Sequence, residues 1–186
     1  MTRLTVYGDD NGNDAAIELD THDSGRIVET LKPIGVTFTR WAPKAPLAGD
    51  ASDADVLAAY GDEIKALAES GGYQSWDLIR MFPDNPKKEE LRAKFLDEHV
   101  HMEDEVRFFV EGSGMFYLHA NAKVHMLLCE AGDMISVPAG LKHWFDMGPQ
   151  PRFAAIRLFT TPEGWVAKFT GDAIAQAFPR YEAKAA

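Results

Sequence analysis

His99 and His101 stand two residues apart, the spacing that turns both imidazoles to one face of an extended strand and lets them reach a single ion. Taken alone, the pair is a weak signal, with an ordinary alternative as two surface or core histidines. The residues that follow narrow the choice. Met102-Glu103-Asp104 is a poor strand sequence that bends the chain, after which Glu105, Arg107 and Phe109 share one face of the next strand. Glu105 thus offers a carboxylate as a third ligand, while Arg107 has an ordinary alternative as the partner of a nearby carboxylate such as Glu103. A fourth ligand comes from a distant stretch, where the strand and tight turn Gly132 to Gly140 deliver Lys142, His143 and Trp144. His143 lies in an apolar strand, where an imidazole with no partner is costly. Three imidazoles and one carboxylate suit a borderline divalent ion such as iron, nickel, cobalt, manganese or zinc, and disfavour calcium, which prefers a shell of oxygens. His22 beside Asp20 and Asp23, and His119 and His125 flanking a turn, read as structural or solvated, and Cys129 as a small buried hydrophobe.

These residues need a framework of strands to bring them together. From His99 onward the sequence breaks into short runs rich in Val, Ile, Phe and Tyr: VRFFV, MFYLH, KVHMLLC, MISV, KHWFDM and FAAIRLFT. Each is closed by Gly, Pro, Asn or Asp. Short strands with a turn signal every 8–12 residues or so indicate an antiparallel sandwich or barrel. Upstream, residues 4–7, 27–31 and 36–41 read as strands and 8–14 as a turn. A helix capped by Ser52 or Asp50 then carries Val56, Leu57, Tyr60, Ile64, Leu67 and Ala68 on one face until Gly71-Gly72 stops it. Gln74 to Phe82 reads as a second short helix ended by Pro83, and Pro86 opens a third with Leu91 and Phe95 on its inner side. The tail from Trp165 to Phe178 reads as a short helical return.

Composition sets the outer bounds. The 186 residues are 46% hydrophobic and 26% charged, the balance of a globular protein able to bury a core. Nineteen basic against twenty-nine acidic residues give a net charge of −10, which argues against nucleic-acid or anionic-membrane binding. An anionic ligand therefore needs a local positive feature. One cysteine, the absence of an apolar leader and the absence of a transmembrane-length run point to the cytoplasm. With no repeat or linker, 1–186 reads as one domain: N-terminal strands and a helical annex over 1–95, the barrel with the metal motifs over 96–160, and a tail over 161–186.

HVHMEDEVRFFVEG and GDMISVPAGLKH resemble the two signature motifs of the cupin superfamily. That likeness implies a mainly β fold, a double-stranded β-helix or jelly-roll barrel, here with a few N-terminal helices and a short C-terminal helix. Many cupins carry Asn four residues after the final histidine, where this chain has Met147. Cupin membership alone leaves open a different metalloenzyme, such as a zinc isomerase or another dioxygenase, and a non-catalytic metal-dependent sensor. A narrower resemblance spans most of the chain. DNPKKEELRAKFLDEHVHMEDEVRFFVEGSG, GDMISVPAGLKHWFDMG and IRLFTTPEGWVAKFTGD are similar to the acireductone dioxygenase family of methionine salvage.

The family resemblance implies one Fe(II) or Ni(II) per chain on His99, His101, Glu105 and His143, with a small enediol and O2 as substrates. It implies formate and the 2-keto acid precursor of methionine from the iron form, and formate, carbon monoxide and methylthiopropionate from the nickel form. It also makes Arg107 the substrate-activating arginine and attaches metal incorporation to His99 and transmission of conformational change to Asp104. Phe95, Phe145, Phe153 and Trp165 are expected to wall a pocket for the methylthio tail, with plain core packing as the ordinary alternative for each. Monomer and dimer are both compatible with the sequence.

Overall fold

The computed structural model describes residues 1–10, 12, 16–42, 44, 51–161 and 165–182. The turn expected at 8–14 falls partly outside these, and the alternative cap Asp50 wholly so. The chain order is β1 (Arg3–Gly8), β2 (Ile17–Thr21), α1 (Ser24–Leu31), β3 (Thr37–Arg40), α2 (Asp53–Ala59), α3 (Gly61–Gly71), β4 (Ser75–Met81) and α4 (Lys88–Phe95). There follow β5 (His99–Val100), β6 (Glu105–Ala120), β7 (Lys123–Glu130), β8 (Asp133–Val137), β9 (Lys142–Asp146), β10 (Phe153–Phe159) and β11 (Lys168–Phe169).

All the pairings are antiparallel. One sheet runs β11-β5-β9-β6-β7-β1-β2, and the other runs β3-β8-β6-β10-β4. The long strand β6 belongs to both. Its first half pairs with β8 and β10 and its second half with β7 and β9, so the chain turns a corner within it. The expected break at Gly112-Ser113-Gly114 is that corner rather than a turn. A register shift against β10 beside Gly112, which has φ +71, bends the strand while its ladder continues. Only glycine fits there, because a Cβ would lie 1.8 Å from the Arg152 carbonyl oxygen.

The inner faces of the two sheets enclose a core of Leu4, Val6, Phe38, Phe109, Phe116, Ile135, Val137, Phe145, Phe153 and Ala155, which is the mainly β barrel expected. Outside the second sheet, α2 and α3 press Val56, Tyr60 and Ile64 onto Val106, Phe108, Ile156 and Leu158. Alternation along β6 therefore sends Val106 and Phe108 outward beneath the helices and leaves Glu105, Arg107 and Phe109 facing inward.

Four further local expectations change. Residues 27–31 form the second half of α1: Asp23 caps the helix by accepting the Arg26 amide at 2.8 Å, and Ile27 and Leu31 bury one face. The β-branched residues there suggested a strand, but the four-residue spacing of the buried pair decides. Residues 74–82 hold β4 instead of a helix, because β10 presents a free edge along which Ser75–Met81 pairs residue for residue. The tail has no α-helix among the described residues, only the two-residue β11 and a 3-10 turn, Ile174–Gln176, where Ala175 and Phe178 cover Tyr117 and Trp144. Ser52 does cap α2 in a reciprocal capping box with Asp55. The predicted single helix breaks at Tyr60 into α2 and α3. No helix among the described residues is long and apolar enough to cross a membrane.

Gly114 shapes the interior. A Cβ there would fall 2.3 Å from Phe145 Cζ, so the bare glycine is what lets that ring lie against β6. Gly114→Ala is expected to destabilise the fold by about 1–3 kcal/mol through overpacking. Adding Phe145→Leu should recover part of the loss in a denaturation double-mutant cycle. Additive losses would show that the ring is not wedged.

Candidate metal centre

Strands β5 and β9 lie side by side with His99 directly opposite His143, their ring centroids 4.6 Å apart. His101 follows the end of β5, its ring 5.0 Å from His99 and 5.2 Å from His143. The chain bends at Met102-Glu103-Asp104 as expected and returns as β6 with Glu105 pointing to the same spot. Two hydrogen bonds join this bend to the turn before His143. The Gly140 amide donates to the His101 carbonyl at 2.9 Å, and the Ala139 amide donates to Asp104 Oδ1, also at 2.9 Å. The ligand atoms of His99, His101, Glu105 and His143 all lie within 4.8 Å of one another, and all four residues are buried.

The hydrogen bonds behind these side chains fix what they can hold. Each Nδ1 faces a backbone carbonyl: His99 to Asp97 at 2.8 Å, His101 to Val166 at 3.1 Å and His143 to Leu141 at 2.8 Å. A carbonyl only accepts, so each Nδ1 carries the proton and each Nε2 presents a lone pair. Two of those lone pairs, on His101 and His143, face Glu105 Oε2 at 3.0 and 3.1 Å. Acceptor against acceptor in a buried site is unfavourable unless a cation lies between them, so the donor set fits a divalent ion. Glu105 Oε1 is taken up separately by Arg107 Nη2 at 2.8 Å.

The electrostatics follow from burial and this charge pattern. Burial alone would raise the Glu105 carboxyl, but the Arg107 charge beside it holds it well below the usual range. Burial lowers the Arg107 guanidinium, with Glu105 opposing. For His101, burial pulls down and Glu105 pulls up more strongly, leaving it above the ordinary imidazole value. Burial, with His143 alongside, pushes His99 down to about 4.

A pH dependence follows for the metal-free protein. Between roughly 6.5 and 4 the unfolded His99 takes a proton that the folded one refuses, so its contribution of about 3 kcal/mol is present above that window and lost as pH falls through it. His101 has the opposite sign. The stability difference between the wild type and His99→Gln, measured by denaturation across pH 4–7, should therefore shrink toward acid; a pH-independent difference would contradict the assignment.

A cavity of about 360 Å³ opens onto His99, His101 and Glu105. Phe95, Phe145 and Trp165 line it, whereas Phe153 does not: it is core, its ring 5.9 Å from that of Phe145, because its strand turns it into the packed interior. Asp104 also stands off the cavity, its carboxylate holding the Ala139 turn, so any effect it has reaches the site through the backbone. Glu103 binds Thr160 and Thr161 and leaves Arg107 to Glu105. The Arg107 guanidinium lies 4.4 Å from the Phe145 ring and 5.3 Å from Phe116. Two donors near it, Arg107 Nε and Trp165 Nε1, are buried without a partner among the described residues, so the site is short of acceptor oxygen. Met147, in place of the usual cupin Asn, is buried in the apolar core.

Two lining cations escaped the sequence reading. Arg157, in direct register with Arg107 on the neighbouring strand, is clamped by Asp77 through Nε at 2.9 Å and Nη2 at 2.6 Å. The one charge inside FAAIRLF was its available signal. Lys94, exposed near the end of α4, had none, since a basic residue in a last helical turn is commonplace. Val166, Ala167 and Phe169 complete the rim.

A family model described as "ARD/ARD' family" matches residues 3–167. An acireductone dioxygenase of Parvibaculum lavamentivorans is 53% identical over 184 residues, covering 99% of each chain. One from Aquifex aeolicus is 53% identical over 182 residues, covering 98% of this chain and 97% of its own. A solved acireductone dioxygenase from Bacillus anthracis, with a cadmium ion in its active centre, is similar with a TM-score of 0.78 at 28% identity, over 91% of this chain and 98% of that one.

Proposed function

The chain belongs to the ARD/ARD' family, and on that footing we propose that it is an acireductone dioxygenase, cleaving 1,2-dihydroxy-3-keto-5-methylthiopentene with O2 in cytoplasmic methionine salvage. The observation that carries this reading is the convergence of three carbonyl-oriented imidazoles and Glu105 beside a cavity that His99, His101, Glu105 and Arg107 line. His99, His101, Glu105 and His143 would hold one Fe(II) or Ni(II). When bound, that ion would supply a Lewis acid for the enediol.

The chain's own residues do the rest. Arg107, pinned by Glu105 and by the Phe145 face, is a preorganised cation that favours loss of the enediol protons and stabilises the resulting anion. Its free donor and that of Trp165 match an oxygen-rich ligand. Phe95, Phe145 and Trp165 give the methylthio chain an apolar wall and keep water from the electron-rich carbon skeleton. Asp104 and Glu103 keep the two ligand-bearing turns in place from outside. The iron form is proposed to give formate and 4-methylthio-2-oxobutanoate, and the nickel form formate, carbon monoxide and 3-methylthiopropionate.

The test generates acireductone anaerobically and admits O2 in the presence of Fe(II)- or Ni(II)-loaded protein. Loss of the enediol absorption well above background is expected, with products separated by metal. No loss above background rejects the activity. Zinc at one per chain in protein purified without added metal, with neither iron nor nickel, would favour an isomerase instead.

A further inference from the structure

The protein carries a net charge of −10, yet the proposed substrate is an anion at neutral pH, so the long-range field opposes its approach. The cationic residues at the cavity differ in how far their charge reaches. Arg107 is buried and bonded to Glu105, and Arg157 is clamped through two parallel hydrogen bonds by Asp77. Each of these pairs is a short dipole whose field fades within a few ångströms. Lys94 is different. It lines the same cavity, is exposed and forms no ion pair among the described residues; its amine lies 6.0 Å from the ring of Phe95, the neighbouring wall residue.

We infer that Lys94 is the capture cation of this site: it draws the anionic enediolate to the mouth and sets its rate of entry, whereas Arg107 and Arg157 act only at contact. The inference rests on the proposed substrate. A low-dielectric apolar wall beside the amine, formed by Phe95, Phe145 and Phe169, concentrates the field of that single charge along the entrance. Phe169 is half-exposed at the rim, so this wall continues to the surface. The position of Lys94 in the last turn of α4 also favours a cation, because the helix dipole presents its negative end there. Helix stability can therefore account for a lysine at this position but not for an effect on substrate capture, and the two roles separate experimentally.

The experiment measures kcat/KM and kcat for metal-loaded wild type, Lys94→Gln, Lys94→Glu and, as an equal change of net charge away from the cavity, Lys65→Gln, each from low to high ionic strength. Anaerobic titration with acireductone, followed by its own absorption, gives binding without turnover. Lys94→Gln should lower kcat/KM about threefold at low salt and Lys94→Glu about tenfold, both converging on wild type at roughly 0.5 M salt, where the screening length is only a few ångströms. Affinity in the anaerobic titration should weaken in the same order, and Lys65→Gln should match wild type. Equal losses in Lys65→Gln and Lys94→Gln, or losses at Lys94 that persist at high salt, overturn the inference. If wild type itself neither binds nor consumes acireductone, the functional reading fails and this one falls with it. Wild-type turnover with unaltered Lys94 variants removes only the role of Lys94.

Discussion

Glu105→Ala is expected to lose both metal and turnover and, unlike the loss of a ligand histidine, to weaken the metal-free fold by about 3–5 kcal/mol. The difference comes from Arg107. That guanidinium is buried, its charge is opposed by Glu105 at 2.8 Å, and its Nε already lacks a partner. Removing the carboxylate leaves a cation in the interior with no anion beside it. His143→Ala removes one neutral donor and should strip the ion and the activity at a smaller cost to the apo fold, because no charge is stranded. Elemental analysis after gel filtration reports the metal, and denaturant unfolding of the apo variants reports the fold. Comparable apo stabilities for the two variants would show that Glu105 does not neutralise Arg107.

Arg107→Ala is expected to lower turnover about 100- to 1,000-fold, the size of effect seen when a preorganised electrostatic donor is removed. A role in substrate activation alone would leave the metal in place. The geometry changes that expectation. Arg107 holds Glu105 Oε1 while Oε2 faces the histidines, so it orients a proposed ligand as well as facing the cavity. Metal affinity should therefore fall too, by about 10- to 100-fold, as for other residues behind a metal ligand. Arg107→Lys should rescue little of either, because an ammonium cannot reproduce the planar stacking against Phe145 and Phe116. Competition with a chelator measures the affinity and the acireductone assay measures turnover. Metal loss as complete as in His143→Ala would make Arg107 a structural support of the ion alone.

Much of the chemistry of this site is encoded locally. Side-chain alternation on a strand is a rule of two, so His99 and His101, and then Glu105 and Arg107, could be assigned faces from spacing alone. Burial of His143 in an apolar run marked it as bonded to something. The barrel strands were legible for the same reason, each being a short β-rich run closed by a turn former. Elements outside the barrel were less so. Residues 27–31 and 74–82 carry weak or mixed patterns, and what settled them was a partner: the core that Ile27 and Leu31 enter, and the free edge of β10 that Ser75–Met81 completes.

Residue type and periodicity, which belong to the chain alone, specify the candidate donor set, the two stretches that supply it and the mainly β framework. Packing across the fold set which atoms meet. It directed each Nδ1 to a carbonyl and so each Nε2 to the centre, and it gave Arg107 to Glu105 rather than Glu103. It also turned Phe153 into the core, and it brought Lys94 and Arg157 from separate elements to one cavity. Those outcomes depend on how strands cross and pair across long separations in the chain, and no local pattern of residues encodes that distance.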